Sequence, residues 1–289
     1  MESIRGYTDP VVSISARDFD ALVDLAWMED MPSGDITTDS LFEEKEFTKA
    51  TLLSKDEGVL CGTAVIDCLL KKSDGLVQYS PILRDGAVLK KGSIIGELNG
   101  SLSMVLKMER ILLNFLQYLS GISTNAYLVT REYPNLIILD TRKTLPGYRK
   151  LAKYAVHTGG GWNHRLNLSD MAMLKDNHIA KAGSIDKAVQ LIKKLHPQKK
   201  IELEIDNLSQ LDEAIRAKPN IILLDNFNLE DTKIAIEGIK RSAPDIRIEC
   251  SGGITPDKLK ALSAFNDIGV SMGYLTHTVR FLDISLEIH

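Results

Sequence analysis

Between Asp140 and Arg165 the chain reads DTRKTLPGYRKLAKYAVHTGGGWNHR, which places six Lys/Arg residues, two histidines and three consecutive glycines in 26 positions. Guanidinium forks match carboxylates and phosphates two bonds at a time, whereas lysine supplies a compact point charge. From Asp140 to Lys181 the cations are Arg142, Lys143, Arg149, Lys150, Lys153, Arg165, Lys175 and Lys181, against Asp140, Asp170 and Asp176. That window carries +5, and the remainder of a chain of net charge −4 carries −9. A local cationic region on an acidic protein is expected to focus a small anion, and the acidic balance argues against general affinity for nucleic acid. Arg149, Lys150 and Lys153 stand at helical spacing and read as a solvated helix face. Arg142, Lys143, Arg165 and Lys175 flank turns and strand ends, which makes them the candidates for holding the anion.

The elements that must position them follow from periodicity. From about Leu136 onward, short apolar runs each end near a polar residue and are followed by an amphipathic helical stretch. The runs are LIILD at Asp140, MAMLK at Lys175, IELEI with Glu204, IILLD at Asp225, IRIEC with Glu249, and IGVSMG at Ser271 to Gly273. Helices are expected over about Tyr148–His157, Ser184–Leu195, Leu208–Ala217, Leu229–Arg241 and Pro256–Ala264. Alternating helices and near-continuous apolar strands predict a parallel sheet covered on both faces. Polar residues at every strand's carboxyl end favour an α/β barrel over an open doubly wound sheet, whose ligands gather at one switch point. About six strands can be counted. The 154 residues from Leu136 to His289 fall short of the roughly 200 usual for eight units, so an incomplete barrel of six or seven parallel strands is expected.

The first 125 or so residues read as an α+β sandwich domain, with the barrel over 126–289 and room for the last residues to pack back on the first domain. Phe19–Glu29 is an expected helix. Strand-like runs follow at Ala50–Ser54, Val59–Thr63 and Val77–Ser80, and Gly86, Gly92, Gly96 and Gly100 mark tight turns. Ser101–Tyr133 reads as one long helix with a polar stripe of Arg110, Asn114, Gln117 and Gly121 on an apolar rod. The flanks are apolar enough to suggest a buried or interfacial position, where an arginine needs an anionic partner.

The apolar runs are far shorter than the roughly 20 residues of a membrane span. The start MESIRGYTDP lacks a basic segment followed by an apolar core, so the protein is expected in the cytoplasm. Cys61, Cys68 and Cys250 have neither zinc-site spacing nor disulfide-scaffold density, and are expected reduced and packed.

The run DTRKTLPGYRKLAKYAVHTGGGWNHRLNLSDMAMLKDNHI resembles the signature of the quinolinate phosphoribosyltransferases. Further matches extend the resemblance over nearly the whole chain: GDITT at Gly34–Thr38, ERILLNFLQYLSGIST at Glu109–Thr124, IELEIDNL at Ile201–Leu208, LLDNF at Leu223–Phe227, ECSGGI at Glu249–Ile254 and SMGYLTH at Ser271–His277. The resemblance implies an N-terminal sandwich followed by an incomplete α/β barrel. It also implies a reaction: quinolinate plus phosphoribosyl pyrophosphate gives nicotinate mononucleotide, pyrophosphate and carbon dioxide, with magnesium, as a step of de novo NAD biosynthesis.

Carried over by motif, the resemblance places Arg142, His164, Arg165 and Lys175 around quinolinate, with Thr141 adding a hydrogen bond and Lys143 nearer the diphosphate. Glu204 and Asp225 would meet the ribose hydroxyls and magnesium, directly or through water or the diphosphate. Ser251, Gly252, Gly253, Ser271 and Gly273 would hold the 5′-phosphate. Lys143, Lys175, Glu204 and Asp225 are the implied catalytic set, and Arg110 would reach the neighbouring active site of a homodimer. Gly159–Gly161 read as a helix cap and as close packing beside the pocket, Trp162 as part of the pocket wall, and His178 as evenly balanced. Asp206 and Thr278 are conservative departures from the family pattern. Two rivals remain open: a molybdate-transport-associated paralogue acting on another anion, and a non-catalytic sensor of phosphate ligands.

Overall fold

The computed structural model describes residues 7–43 and 45–289. They fall into two compact units that interleave along the chain: one holds residues up to Pro10 with 129–143 and 161–273, the other holds 11–128, 144–160 and 274–289. No helix among the described residues is long and apolar enough to cross a membrane.

The second unit is built on a four-stranded antiparallel sheet ordered Ile284–Ile288, Phe47–Ser54, Ile94–Ser101, Val77–Pro81. Phe47–Ser54 alternates exposed and buried positions, so Ala50 and Leu52 point into the core while their neighbours face outward. The C-terminal strand pairs directly with this strand, Leu52 opposite Leu286. The segment expected as a strand over Val59–Thr63 pairs only at Gly58–Val59.

The long helix spans Leu102–Glu132, and Val105, Met108, Leu112, Leu116 and Leu119 are fully buried along it. Its expected polar stripe is divided. Arg110 and Asn114 are exposed in the single chain, while Gly121 is buried beneath Val279–Arg280, where a Cβ would come within 2.3 Å of the Arg280 carbonyl oxygen.

The helix Arg149–Thr158, expected within the barrel domain, groups with this second unit. Its cationic face is only partly solvated. Lys153 is completely buried, and Lys150 pairs with Asp18 at 2.6 Å. After it, Gly160 takes the left-handed φ of +89° that ends the helix, whereas Gly159 has an ordinary φ. Gly159 serves close packing instead: a Cβ there would lie 2.1 Å from the Ser123 carbonyl oxygen.

The first unit contains the six expected parallel strands in the spatial order Leu136–Leu139, Ile268–Ser271, Arg247–Ser251, Ile221–Asp225, Ile201–Ile205, Ala172–Leu174. A parallel bridge from Leu139 to Trp162 adds a seventh position. The order is chain order read around a ring, since the first strand pairs with the last. The gap between Trp162 and Ala172 leaves the α/β barrel incomplete. Helices Ile185–Leu195, Leu211–Ala217, Leu229–Ser242 and Pro256–Leu262 cover the outside, three of them opened by a side-chain cap from Ser184, Asn228 or Thr255.

Residues 7–10 group with the barrel, not with the sandwich. Tyr7 is 2% exposed, packs with Ile137, Leu139, Met171 and Ile221, and donates its hydroxyl to the Ile248 carbonyl at 2.6 Å. Gly269 makes room for it, because a Cβ there would lie 2.3 Å from the Tyr7 oxygen. Trp162 packs on the same cluster.

Candidate active site

Side chains two apart on a strand share a face. In the barrel this rule aligns Met173 with Lys175, Leu223 with Asp225, and Glu249 with Ser251, and all six line one cavity of about 490 Å³. Each of these three strands therefore contributes a polar residue at or just past its carboxyl end and another residue one layer deeper. Thr141, Arg142 and Lys143 enter the wall just after the strand Leu136–Leu139, and His164 and Arg165 just after the bridge at Trp162.

Asp140 positions the histidine segment. Its fully buried carboxylate accepts the His164 backbone N–H at 2.9 Å and the Asn163 side-chain amide at 2.6 Å. Thr8 donates its hydroxyl to the Asn163 carbonyl. His164 is 6% exposed, and its Nε2 lies 2.8 Å from Glu202 Oε2 and 3.6 Å from Glu249 Oε2.

Arg165 is largely buried and donates to the Met171 carbonyl at 3.3 Å. Burial, and then the nearby Arg142 guanidinium, lower its pKa. The Arg142 Nε is buried with no hydrogen-bond partner among the described residues. Two close guanidinium groups in a partly dehydrated wall are stabilised by a bound dianion, which both neutralises and hydrogen-bonds them.

On the opposite side, Lys175 Nζ meets Glu204 Oε2 at 2.6 Å. Asp225, at the end of the neighbouring strand, accepts from its own neighbour Asn226 at 2.9 Å. The turn after Ser251 requires glycine: Gly252 has φ +74°, and a Cβ there would lie 2.1 Å from Asn226 Oδ1. Lys258, itself buried, pins this turn by donating to the Gly252 carbonyl at 3.2 Å and the Phe227 carbonyl at 3.0 Å.

Of the residues expected at the site, Thr141, Arg142, Lys143, His164, Arg165, Lys175, Glu204, Asp225, Ser251, Gly252, Gly253 and Ser271 all line this cavity. Gly273 is not on its wall, and Arg110 belongs to the other unit. Trp162 is likewise absent from the wall, packing instead in the lower core with Tyr7. His178 acts structurally: its Nδ1 accepts the Lys175 backbone N–H at 3.0 Å and caps the helix Asp176–Ala182.

Glu249 on the floor, and Glu202 beside it, were missed as site residues. Their signal is a charged residue inside an otherwise apolar strand, two positions before a residue already chosen. Both are fully buried. Desolvation raises the Glu202 carboxyl to about 7 and, with repulsion from Glu202, the Glu249 carboxyl to about 8.

A family model described as quinolinate phosphoribosyl transferase, C-terminal domain, matches residues 123–287, and its N-terminal counterpart matches residues 35–120. The chain belongs to the quinolinate phosphoribosyltransferase family. A Bacillus subtilis protein named probable nicotinate-nucleotide pyrophosphorylase [carboxylating] is 41% identical over 272 residues, 91% of this chain and 90% of its own length. A Mycobacterium leprae protein named nicotinate-nucleotide pyrophosphorylase [carboxylating] is 36% identical over 95% of this chain and all of its own. The structure of the nicotinate-nucleotide pyrophosphorylase from Francisella tularensis superposes with a TM-score of 0.92 at 35% identity, covering 98% of this chain and 100% of that one. The incomplete barrel and the antiparallel sheet are therefore the fold of the quinolinate phosphoribosyltransferase family.

Proposed function

We propose that this chain transfers the phosphoribosyl group of phosphoribosyl pyrophosphate to quinolinate and decarboxylates the adduct, giving nicotinate mononucleotide, pyrophosphate and carbon dioxide for de novo NAD biosynthesis. The observation that carries the proposal is the convergence of Arg142, Lys143, Arg165 and Lys175 with Glu204 and Asp225 on one cavity. Both reactants are polyanions, one with adjacent carboxylates and the other with a phosphate and a diphosphate, and four fixed cations oppose them.

Arg142, Arg165, His164 and Lys175, with Thr141, hold the two carboxylates. Lys143 faces the diphosphate. The backbone of Ser251–Gly253, with Ser271, receives the 5′-phosphate at the carboxyl ends of the late strands, where barrels commonly bind phosphate. Glu204 and Asp225 take the ribose hydroxyls. They also suit magnesium, being hard oxygen donors on adjacent strands, and the ion prefers one or two carboxylates completed by phosphate oxygens and water. Bound there, magnesium would neutralise the departing diphosphate.

Pyrophosphate departure leaves an oxocarbenium-like ribose that the pyridine nitrogen captures. The nitrogen then carries positive charge, which stabilises the carbanion formed when the neighbouring carboxylate leaves as carbon dioxide. The protein contributes orientation and fixed charge. Arg110, exposed on the long helix, would complete the same cavity of the partner subunit in a homodimer.

The test is release of pyrophosphate and carbon dioxide from quinolinate plus phosphoribosyl pyrophosphate, with and without magnesium. Equimolar, magnesium-dependent release is expected. Binding of phosphoribosyl pyrophosphate without turnover of quinolinate would sink the reading and favour another anion.

A further inference from the structure

Decarboxylation leaves an electron pair on pyridine C2, and a proton must reach it. Lys175, the obvious ammonium donor, is paired with Glu204 at 2.6 Å. The floor of the cavity offers a different acid. Glu249 is completely buried yet forms part of the cavity lining. Its carboxyl oxygens make no close, well-aligned hydrogen bond among the described residues; the Glu202 carboxyl and the Ser271 hydroxyl interact with them, and His164 Nε2 stands 3.6 Å away. A carboxylate left so is expensive, whereas a neutral carboxylic acid is tolerated and has a proton to give.

We propose that Glu249 is a catalytic acid of this site, donating its carboxyl proton directly to pyridine C2 after carbon dioxide leaves. The inference rests on the reaction proposed above. The C2–carboxylate bond breaks, carbon dioxide departs, and the electron pair remains on C2. The Glu249 O–H bond then breaks as the C2–H bond forms, leaving a carboxylate that faces the pyridinium cation and the His164 ring. Solvent returns the proton after product leaves.

The surroundings favour the neutral form before the step. Glu202 from the adjoining part of the barrel faces Glu249 with a second carboxyl group, and Tyr7 from the N-terminal segment adds no cation. His164 is the one titratable group named here that opposes this, while Arg165 and Lys175 act on Glu202 rather than on Glu249. Desolvation is the largest contribution, and the carboxyl reaches about 8. A carboxylic acid held protonated near neutrality is matched to general acid catalysis, and such groups contribute about 10²- to 10⁴-fold in rate.

Glu249→Gln keeps the size and removes the acid. Single-turnover carbon dioxide release should fall about 100-fold or more, while Kd for quinolinate and for phosphoribosyl pyrophosphate shifts by less than about threefold. Release by the native enzyme should decline above about pH 8 with loss of one proton, and that limb should vanish in the variant. Carbon dioxide release within threefold of native, an alkaline limb that persists in the variant, or quinolinate affinity lost as steeply as release would each overturn the assignment. Should the variant not fold by circular dichroism, the native profile decides, because a rate flat across the alkaline range overturns it. Native enzyme that releases neither pyrophosphate nor carbon dioxide from quinolinate would bring down the underlying reaction as well.

Discussion

At the scale of residues, the site is a matter of where charge is placed and which of it is dehydrated. Arg142 and Arg165 were legible because a guanidinium beside a strand end has few roles other than binding an anion. Glu249 was not, because a single acid in IRIEC carries no local sign of being buried against Glu202 and His164. Its burial has a consequence for stability. The folded-state carboxyl lies at about 8 against an ordinary 4.5, so the folded protein holds a proton that the unfolded chain releases. Its contribution to stability is therefore fully present below about pH 4.5 and is lost as pH rises through about 8. The melting temperature of the native protein should fall across that window, and that of Glu249→Gln should fall less. Parallel slopes in calorimetry would show that Glu249 ionises in the fold without penalty.

At the scale of elements, period two inside the strands and caps at the helix starts explain why the polar residues emerge together. The helix Arg149–Thr158 was expected with the barrel because it follows the barrel's first strand in sequence. Apolar packing assigned it to the other unit, through Gly159 against the long helix and Tyr148 stacked on Phe115 at 5.7 Å. The N-terminal segment shows the reverse. Tyr7 fills the amino end of the barrel over a glycine, and Thr8 holds the carbonyl of the residue before His164. Removing a large buried ring typically costs about 3–5 kcal/mol. Tyr7→Ala should destabilise the protein by about that amount in urea unfolding and raise KM for quinolinate through the loosened His164 segment. Loss of stability with KM unchanged would confine Tyr7 to the core.

At the scale of the whole molecule, Arg110 poses the remaining question, since it is exposed in the single chain and absent from the cavity wall. If it serves the partner subunit, Arg110→Ala and Lys175→Ala proteins should each be inactive alone. Mixed under subunit exchange they should recover up to about a quarter of native activity, because a random heterodimer pairs one intact site with one doubly damaged site. No recovery, with exchange shown by mass spectrometry, would rule out a contribution of Arg110 to the partner subunit's site.

By itself, the sequence determined the six strands of the incomplete barrel, the helices that alternate with them, the long helix and the cationic residues around the barrel's mouth. Those properties follow from local period and side-chain type, which a chain displays without folding. Only the tertiary structure decided that Tyr7 would meet Ile248 across 241 residues, that His164 would rest on Glu202 across 38, and that Glu249 would lie buried beside both on the cavity floor. Such pairings depend on the order in which parallel strands close on one another, and no local pattern records which distant side chain that closure will bring opposite.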